Sequence, residues 1–138
     1  MKKIIYKGLG FPIVLRGVKT FEFRGEILPK INHRELEDMA FNTLLWMPAY
    51  FSGVHLLFVR THMKLSQKKL ASILGLKTHA TISGWEGKKE KATGMPSTTE
   101  VVIRLLMADF IKNDEFSIHF KKFLELTTPP INLEMRVA

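Results

Sequence analysis

The residues best suited to chemistry in this chain lie between Arg60 and Glu86, in RTHMKLSQKKLASILGLKTHATISGWE. Their chemistry is recognition, not bond breaking. Hydroxyl, imidazole and amide groups offer hydrogen bonds to the edges of bases, and the lysines offer charge to phosphates. His79, Thr81, Ser83 and Gly84 fall at or near one face of a short helix, and Lys68, Lys77 and Lys88 flank it. No catalytic residue is assigned. Glu35, Glu37 and Asp38 could be written as an acid/base cluster, but at a helix start they complement the positive N-terminal dipole. The histidines, His33, His55, His62, His79 and His119, show no convergent ligand spacing, and without cysteine neither thiolate zinc nor thiol catalysis is open. No metal or cofactor is expected.

Two helices are needed to present that face. Ser66 is placed to cap the first by accepting backbone N–H groups; Leu70, Ala71 and Leu74 form its apolar side, and Gly75 ends it. Thr78 is placed to cap the second, where Ile82 and Trp85 point inward. This is the pattern of a helix-turn-helix DNA reader. Periodicity alone fits any helical hairpin equally well.

Charge points to a polyanionic partner. Lys and Arg total 21 against 13 Asp and Glu, a net charge of +8 and a pI near 9.8. From Arg60 to Lys91 the basic residues are Arg60, Lys64, Lys68, Lys69, Lys77, Lys88, Lys89 and Lys91, opposed by Glu86 and Glu90. A lysine-rich solvated surface is the plainer reading of any one of them. With 138 residues and 46% apolar content the chain can bury a real core. MKKIIYKGLGF has an apolar run too short for a signal peptide, and no stretch reaches the length of a membrane span, so a cytoplasmic, intracellular protein with no membrane partner is expected.

The flanking segments read as follows. Residues 11–31 predict a hairpin or three short strands, with turn signals at Arg16-Gly17 and Arg24-Gly25 and an apolar face of Phe21, Phe23 and Ile27. That face must pack on a helix or a second subunit, so residues 1–50 are expected to make a dimer or partner contact, residues 11–31 joining two copies or docking a toxin by edge addition. Asn32 and Glu35 open a helix over 33–46 that Pro48 cannot join, and Ser52 opens another with Leu56, Val59 and Met63 inward. Ser97 and Glu100 predict a capping box before Val101, Val102, Leu105 and Leu106. A last helix over 114–126 carries Phe116, Phe120 and Phe123, as core or as a dimer contact, and residues 127–138 predict an extended or mobile tail.

L-S-Q-K-K-L-A at 65–71 and I-S-G-W-E at 82–86 resemble the Xre class of DNA-binding domains. G-F-P-I-V-L, R-G-E at 24–26, P-K-I at 29–31, M-P-S-T-T-E and I-R-L-L extend the resemblance to bacterial regulators related to the HigA and MqsA antitoxins. The resemblance implies an α+β, mainly α fold: a small N-terminal β-hairpin or sheet plus helix over 1–50, a five-helix Xre-type helix-turn-helix domain over 51–126, and a tail over 127–138. It also implies that Gln67 holds a phosphate, that Arg60 pairs with Glu86, and that the first turn of the recognition helix reads bases. DNA contacts then fall on Gln67, Lys68, Lys77, Thr78, His79, Thr81, Ser83 and Lys88. This chain departs by one extra turn residue, Lys77, and by Ala80 and Gly84, which cannot hydrogen-bond a base edge, so readout leans on His79, Thr81 and DNA shape. The zinc of MqsA-type members is not carried over. The implied role is a homodimeric transcriptional repressor bound to a double-stranded operator. It would be the antitoxin of a pair with a RelE-like ribonuclease toxin, or else a stand-alone regulator without a toxin.

Overall fold

A computed structural model describes residues 3–137 and divides the chain into two compact units, Met1–Trp46 with Asn132–Ala138, and Met47–Ile131. The fold is α+β and mostly helical. Among the described residues no helix is long and apolar enough to cross a membrane.

In the first unit, β1 (Lys3–Tyr6) pairs antiparallel with β2 (Ile13–Arg16). The β3 strand (Thr20–Phe23) and β4 (Glu26–Pro29) form a separate hairpin. Arg24 and Gly25 join them with φ of 51° and 80°, the two left-handed residues of a type I′ turn. That turn pairs Phe21 with Leu28 and Glu22 with Ile27. Phe21 and Phe23 therefore share a face with Leu28, while Ile27 lies on the opposite face, contrary to the alternation expected from sequence. A two-residue loop reverses the odd–even parity between strands, so residues alternating along the chain do not stay on one side. Phe21 is 47%, Phe23 54% and Ile27 62% exposed.

The α1 helix spans His33–Trp46, and Asn32 Oδ1 accepts the N–H groups of Arg34 at 2.8 Å and Glu35 at 3.4 Å. Its buried side is Leu36, Ala40, Phe41, Leu44 and Leu45. Within the expected extended tail, four residues are ordered as a strand. Residues Leu133–Arg136 form β5, in parallel register with β2 from Ile13↔Leu133 to Arg16↔Arg136, giving a sheet of order β1-β2-β5. The cause is local: Leu133 and Met135 alternate with Glu134 and Arg136, so one face seals against α1 while Arg16 and Glu134 pair on the other. The unit boundaries move accordingly, the end of the chain belonging with its beginning.

The second unit holds α2 (Gly53–His62), α3 (Gln67–Ile73), α4 (Ala80–Glu86), α5 (Ser97–Phe110) and α6 (Phe116–His119). The last predicted helix is shorter than expected, one α turn followed by a 3-10 segment, Phe120–Glu125. Phe116 and Phe123 are buried against each other, ring centroids 5.1 Å apart, and belong to the core, while Phe120 is half-buried. The capping box expected at Ser97 and Glu100 does not form; Pro96 occupies the N-cap and the Glu100 side chain is used elsewhere. Instead, Ser52 and His55 make one at the start of α2: Ser52 Oγ accepts the His55 N–H at 3.2 Å and His55 Nδ1 accepts the Ser52 N–H at 3.1 Å.

The core of this unit is organised around a buried cation. Arg104 is fully buried, donating to the carbonyls of Met47 at 2.9 Å and Ala49 at 2.7 Å, with its guanidinium 4.4 Å from the Phe51 ring centre and 4.6 Å from that of Phe123. Glu100 lies 3.4 Å from Arg104 and accepts the Phe51 N–H at 2.8 Å. Burial raises the Glu100 carboxyl above its usual range against the pull of Arg104, and burial lowers Arg104 to about 10. His55, also buried, falls to about 4 through desolvation and the Arg104 charge.

Candidate nucleic-acid interface

Three helices converge on one carboxylate. Glu86, at the end of α4, accepts Arg60 Nε at 2.6 Å and Arg60 Nη2 at 3.1 Å, a bidentate pair whose side chains are 11% and 8% exposed. Gln67, the first residue of α3, donates Nε2 to the same carboxylate at 2.9 Å. Arg60 Nη1 also holds the Leu65 carbonyl at 2.8 Å, which fastens the turn leaving α2. Arg60 on α2, Gln67 on α3 and Glu86 on α4 are thus one hydrogen-bonded unit that fixes the angle between α3 and α4.

The backbone around this unit explains why it holds. Ser66 Oγ accepts the Lys69 N–H at 3.0 Å and caps α3 as expected. Its far end closes as a Schellman motif: Gly75 has φ +72°, its N–H reaches the Ser72 carbonyl at 3.1 Å, and the Leu76 N–H reaches that of Ala71 at 2.9 Å. The end of α2 closes the same way with Lys64 at φ 60°, its N–H on Thr61 and the Leu65 N–H on Arg60. Gly53, first in α2, has no room for a side chain, since a Cβ would come within 2.5 Å of the Glu86 carbonyl oxygen. The loop after α4 is tied there by Gly53 N–H to Lys91 O at 3.2 Å and Val54 N–H to Lys89 O at 3.0 Å.

The α4 helix begins one residue later than expected, which leaves Thr78 one position ahead of the N-cap. Thr78 Oγ1 accepts the Ala80 N–H at 3.2 Å, while His79 occupies the N-cap and its carbonyl takes the Ser83 N–H at 3.0 Å. The turn between α3 and α4 covers residues 74–79, long enough to absorb Lys77. Lys68, Lys77, Thr78, His79, Ser83 and Lys88 are exposed, and Thr81 and Gln67 are half-buried. Ile82 is fully buried and Trp85 half-buried on the inner side of α4.

Gln67 differs from the rest of the expected set, because its amide is directed onto Glu86. One N–H and the carbonyl remain for any further partner. The Gln67–Glu86 bond was not foreseen, as no sequence signal separates an amide that reaches outward from one that turns back. The Glu100–Arg104 pair was legible in principle as an acid and a base four residues apart within an apolar run. Among the described residues no three His, Asp or Glu side chains gather as metal ligands.

Compared with known proteins, the chain matches no family model, no curated protein and no solved structure.

Proposed function

We propose that α3 and α4 form a double-stranded DNA interface, and that the protein is a sequence-specific transcriptional repressor acting as a homodimer. On this reading α2 to α6 make up an Xre-type domain and α4 is its recognition helix. One observation carries the proposal: Glu86 locks three helices together from beneath, while polar and cationic side chains from Lys68 to Lys88 stand exposed on the segments it orients. A lock of this kind serves rigid recognition, since base contacts require their donors to be held in place before the partner arrives.

The test is affinity for a duplex selected from a random pool against affinity for unselected duplex. His79→Ala and Thr81→Ala are expected to cost about 1–3 kcal/mol per lost contact on the selected duplex and little on the unselected one. Equal loss on both would reassign these residues to phosphate contact, and no duplex binding would overturn the proposal. The antitoxin role rests on the sequence resemblance. Relief by this chain of growth arrest caused by the product of an adjoining ribonuclease-like gene supports it, and an arrest that persists favours the stand-alone regulator.

A further inference from the structure

We propose that the β3–β4 hairpin carries a binding site for single-stranded DNA, in which Phe21 and Phe23 each stack a base and Lys19, Arg24 and Lys30 meet the phosphates. The inference stands apart from the duplex reading of α3 and α4, because it rests on other residues and another geometry.

The site follows from the register of the hairpin. One face carries Phe21 and Phe23 from β3 with Glu26 and Leu28 from β4. Lys19 and Lys30 extend that face by one rung, the Lys30 N–H donating to the Lys19 carbonyl at 2.6 Å. The opposite face is covered at its base, where Pro29 is buried and Thr20 half-buried. Phe21 is 47% and Phe23 54% exposed, and Lys19, Arg24 and Lys30 are exposed around them. Single exposed apolar side chains are ordinary, but two aromatic rings at successive positions of one face form a patch of the kind that meets a partner.

Ring spacing selects an unpaired strand. Residues two apart along a β-strand are separated by about 6.6 Å, which is about twice the roughly 3.4 Å step between stacked nucleotides of a duplex strand. A duplex keeps its bases stacked on one another and offers no free π-face. A single strand can spread consecutive bases over consecutive rings.

Charge selects a nucleic acid over a bilayer. Lys19, Arg24 and Lys30 give this face three cations against one acid, Glu26, a balance of +2. The Arg24 guanidinium lies 5.2 Å from the centre of the Phe23 ring, which keeps a cation beside the stacking position. Glu26 pairs with Phe23 across the ribbon, so a bilayer that took in the ring would have to take in the carboxylate beside it. Next to a stacked base the same carboxylate is useful, since it can accept the exocyclic amino group of cytosine. The face holds no hydroxyl or amide side chain to meet a ribose 2′-OH, so the strand is assigned as DNA.

Binding of a short oligodeoxycytidylate to the full chain, followed by fluorescence anisotropy, tests the proposal. Phe21→Ala and Phe23→Ala are each expected to weaken that binding roughly tenfold, with affinity for a duplex of the same length unchanged. Phe21→Leu combined with Phe23→Leu keeps the apolar surface but removes the π-faces, and should bind as poorly as the double alanine variant. Phe21→Tyr combined with Phe23→Tyr should bind like wild type. Binding of the single strand without binding of any duplex would support this inference and remove the duplex reading, so the two fail separately. A double leucine variant equal to wild type would show an apolar patch for a protein or a bilayer and overturn the proposal. So would a wild type that does not bind the oligonucleotide, losses on duplex equal to those on the single strand, or an equal hold on the ribose counterpart, oligocytidylate.

Discussion

The second unit contains two arginine–glutamate pairs that do opposite work. Arg60 and Glu86 are 26 residues apart, bidentate, and still 11% and 8% exposed. Arg104 and Glu100 are four residues apart, fully enclosed, and touch at a single distance of 3.4 Å. In the first pair the guanidinium is spent mainly on the carboxylate, so the pair is a strut between helices. In the second it is spent on the Met47 and Ala49 carbonyls and two aromatic rings, and Glu100 is spent on the Phe51 N–H. That pair satisfies an irregular segment, residues 47–51, whose buried backbone groups have no helix to complete them. The same two residue types thus orient a surface in one place and fill a core in the other, and partner geometry distinguishes the roles better than the charges do.

The comparison is broken most severely at the core. Arg104→Met leaves Glu100 buried without its cation and two carbonyls without donors, with an expected loss of about 3–5 kcal/mol in chemical denaturation. Adding Glu100→Gln to Arg104→Met should recover part of that loss, because the stranded charge is gone. A double variant no better than the single one would show that the carbonyl bonds, not the charge, decide the cost.

At the strut, Arg60→Ala should cost roughly 3 kcal/mol and also weaken duplex binding, since it frees α4 from α2. A variant that loses stability while keeping full duplex affinity would mean that Glu86 and Gln67 alone orient α4.

Acid separates the two pairs next. His55, beside Arg104, has its folded-state pKa lowered from 6.5 to about 4, so protonation favours the unfolded chain and stability falls as pH drops from 6.5 toward 4, by about 3 kcal/mol. Glu100 works against this. Its carboxyl is raised on folding, so its protonation favours the folded state as pH falls through its folded-state pKa. His55→Gln keeps an acceptor for the Ser52 N–H and should flatten the acid side of the stability curve. An unchanged slope would assign the acid sensitivity to other groups.

The smallest expected effect sharpens the reading of α4. Gly84 is exposed in the middle of that helix, and an added Cβ would meet nothing within 4 Å. Gly84→Ala should raise stability by about 0.5–1 kcal/mol. If α4 enters a groove as proposed, the added methyl on its exposed side should also weaken duplex binding. A gain in stability with unchanged affinity would remove Gly84 from the interface.

Much of this was legible in the chain, for local reasons. Ser66 and Gly75 mark the ends of α3 because a hydroxyl acceptor and a left-handed residue are each needed at one place. The spacing of Leu56, Val59 and Met63 announces the buried side of α2, and all three are buried. What was hidden is non-local or lacks a compositional mark. The β5 strand is four residues long, with a partner more than a hundred residues earlier, so its alternation reads as a tail until β2 is in place. Lys64 and Lys112 turn the chain at φ 60° and 57° where glycine is the usual signal, leaving both helix ends unmarked. Glu100 offered a capping box on spacing alone, but the Phe51 N–H and Arg104 compete for the same carboxylate inside the core.

The central claim is that the face held by Glu86 meets the phosphates and bases of a duplex. The salt dependence of duplex affinity, measured for wild type and for Lys68→Ala, tests it most directly. Wild type is expected to lose affinity linearly in log salt, and Lys68→Ala to bind selected and unselected duplex more weakly alike, with a slope smaller by about one unit. An affinity independent of salt, or a Lys68→Ala slope equal to that of wild type, would contradict the account.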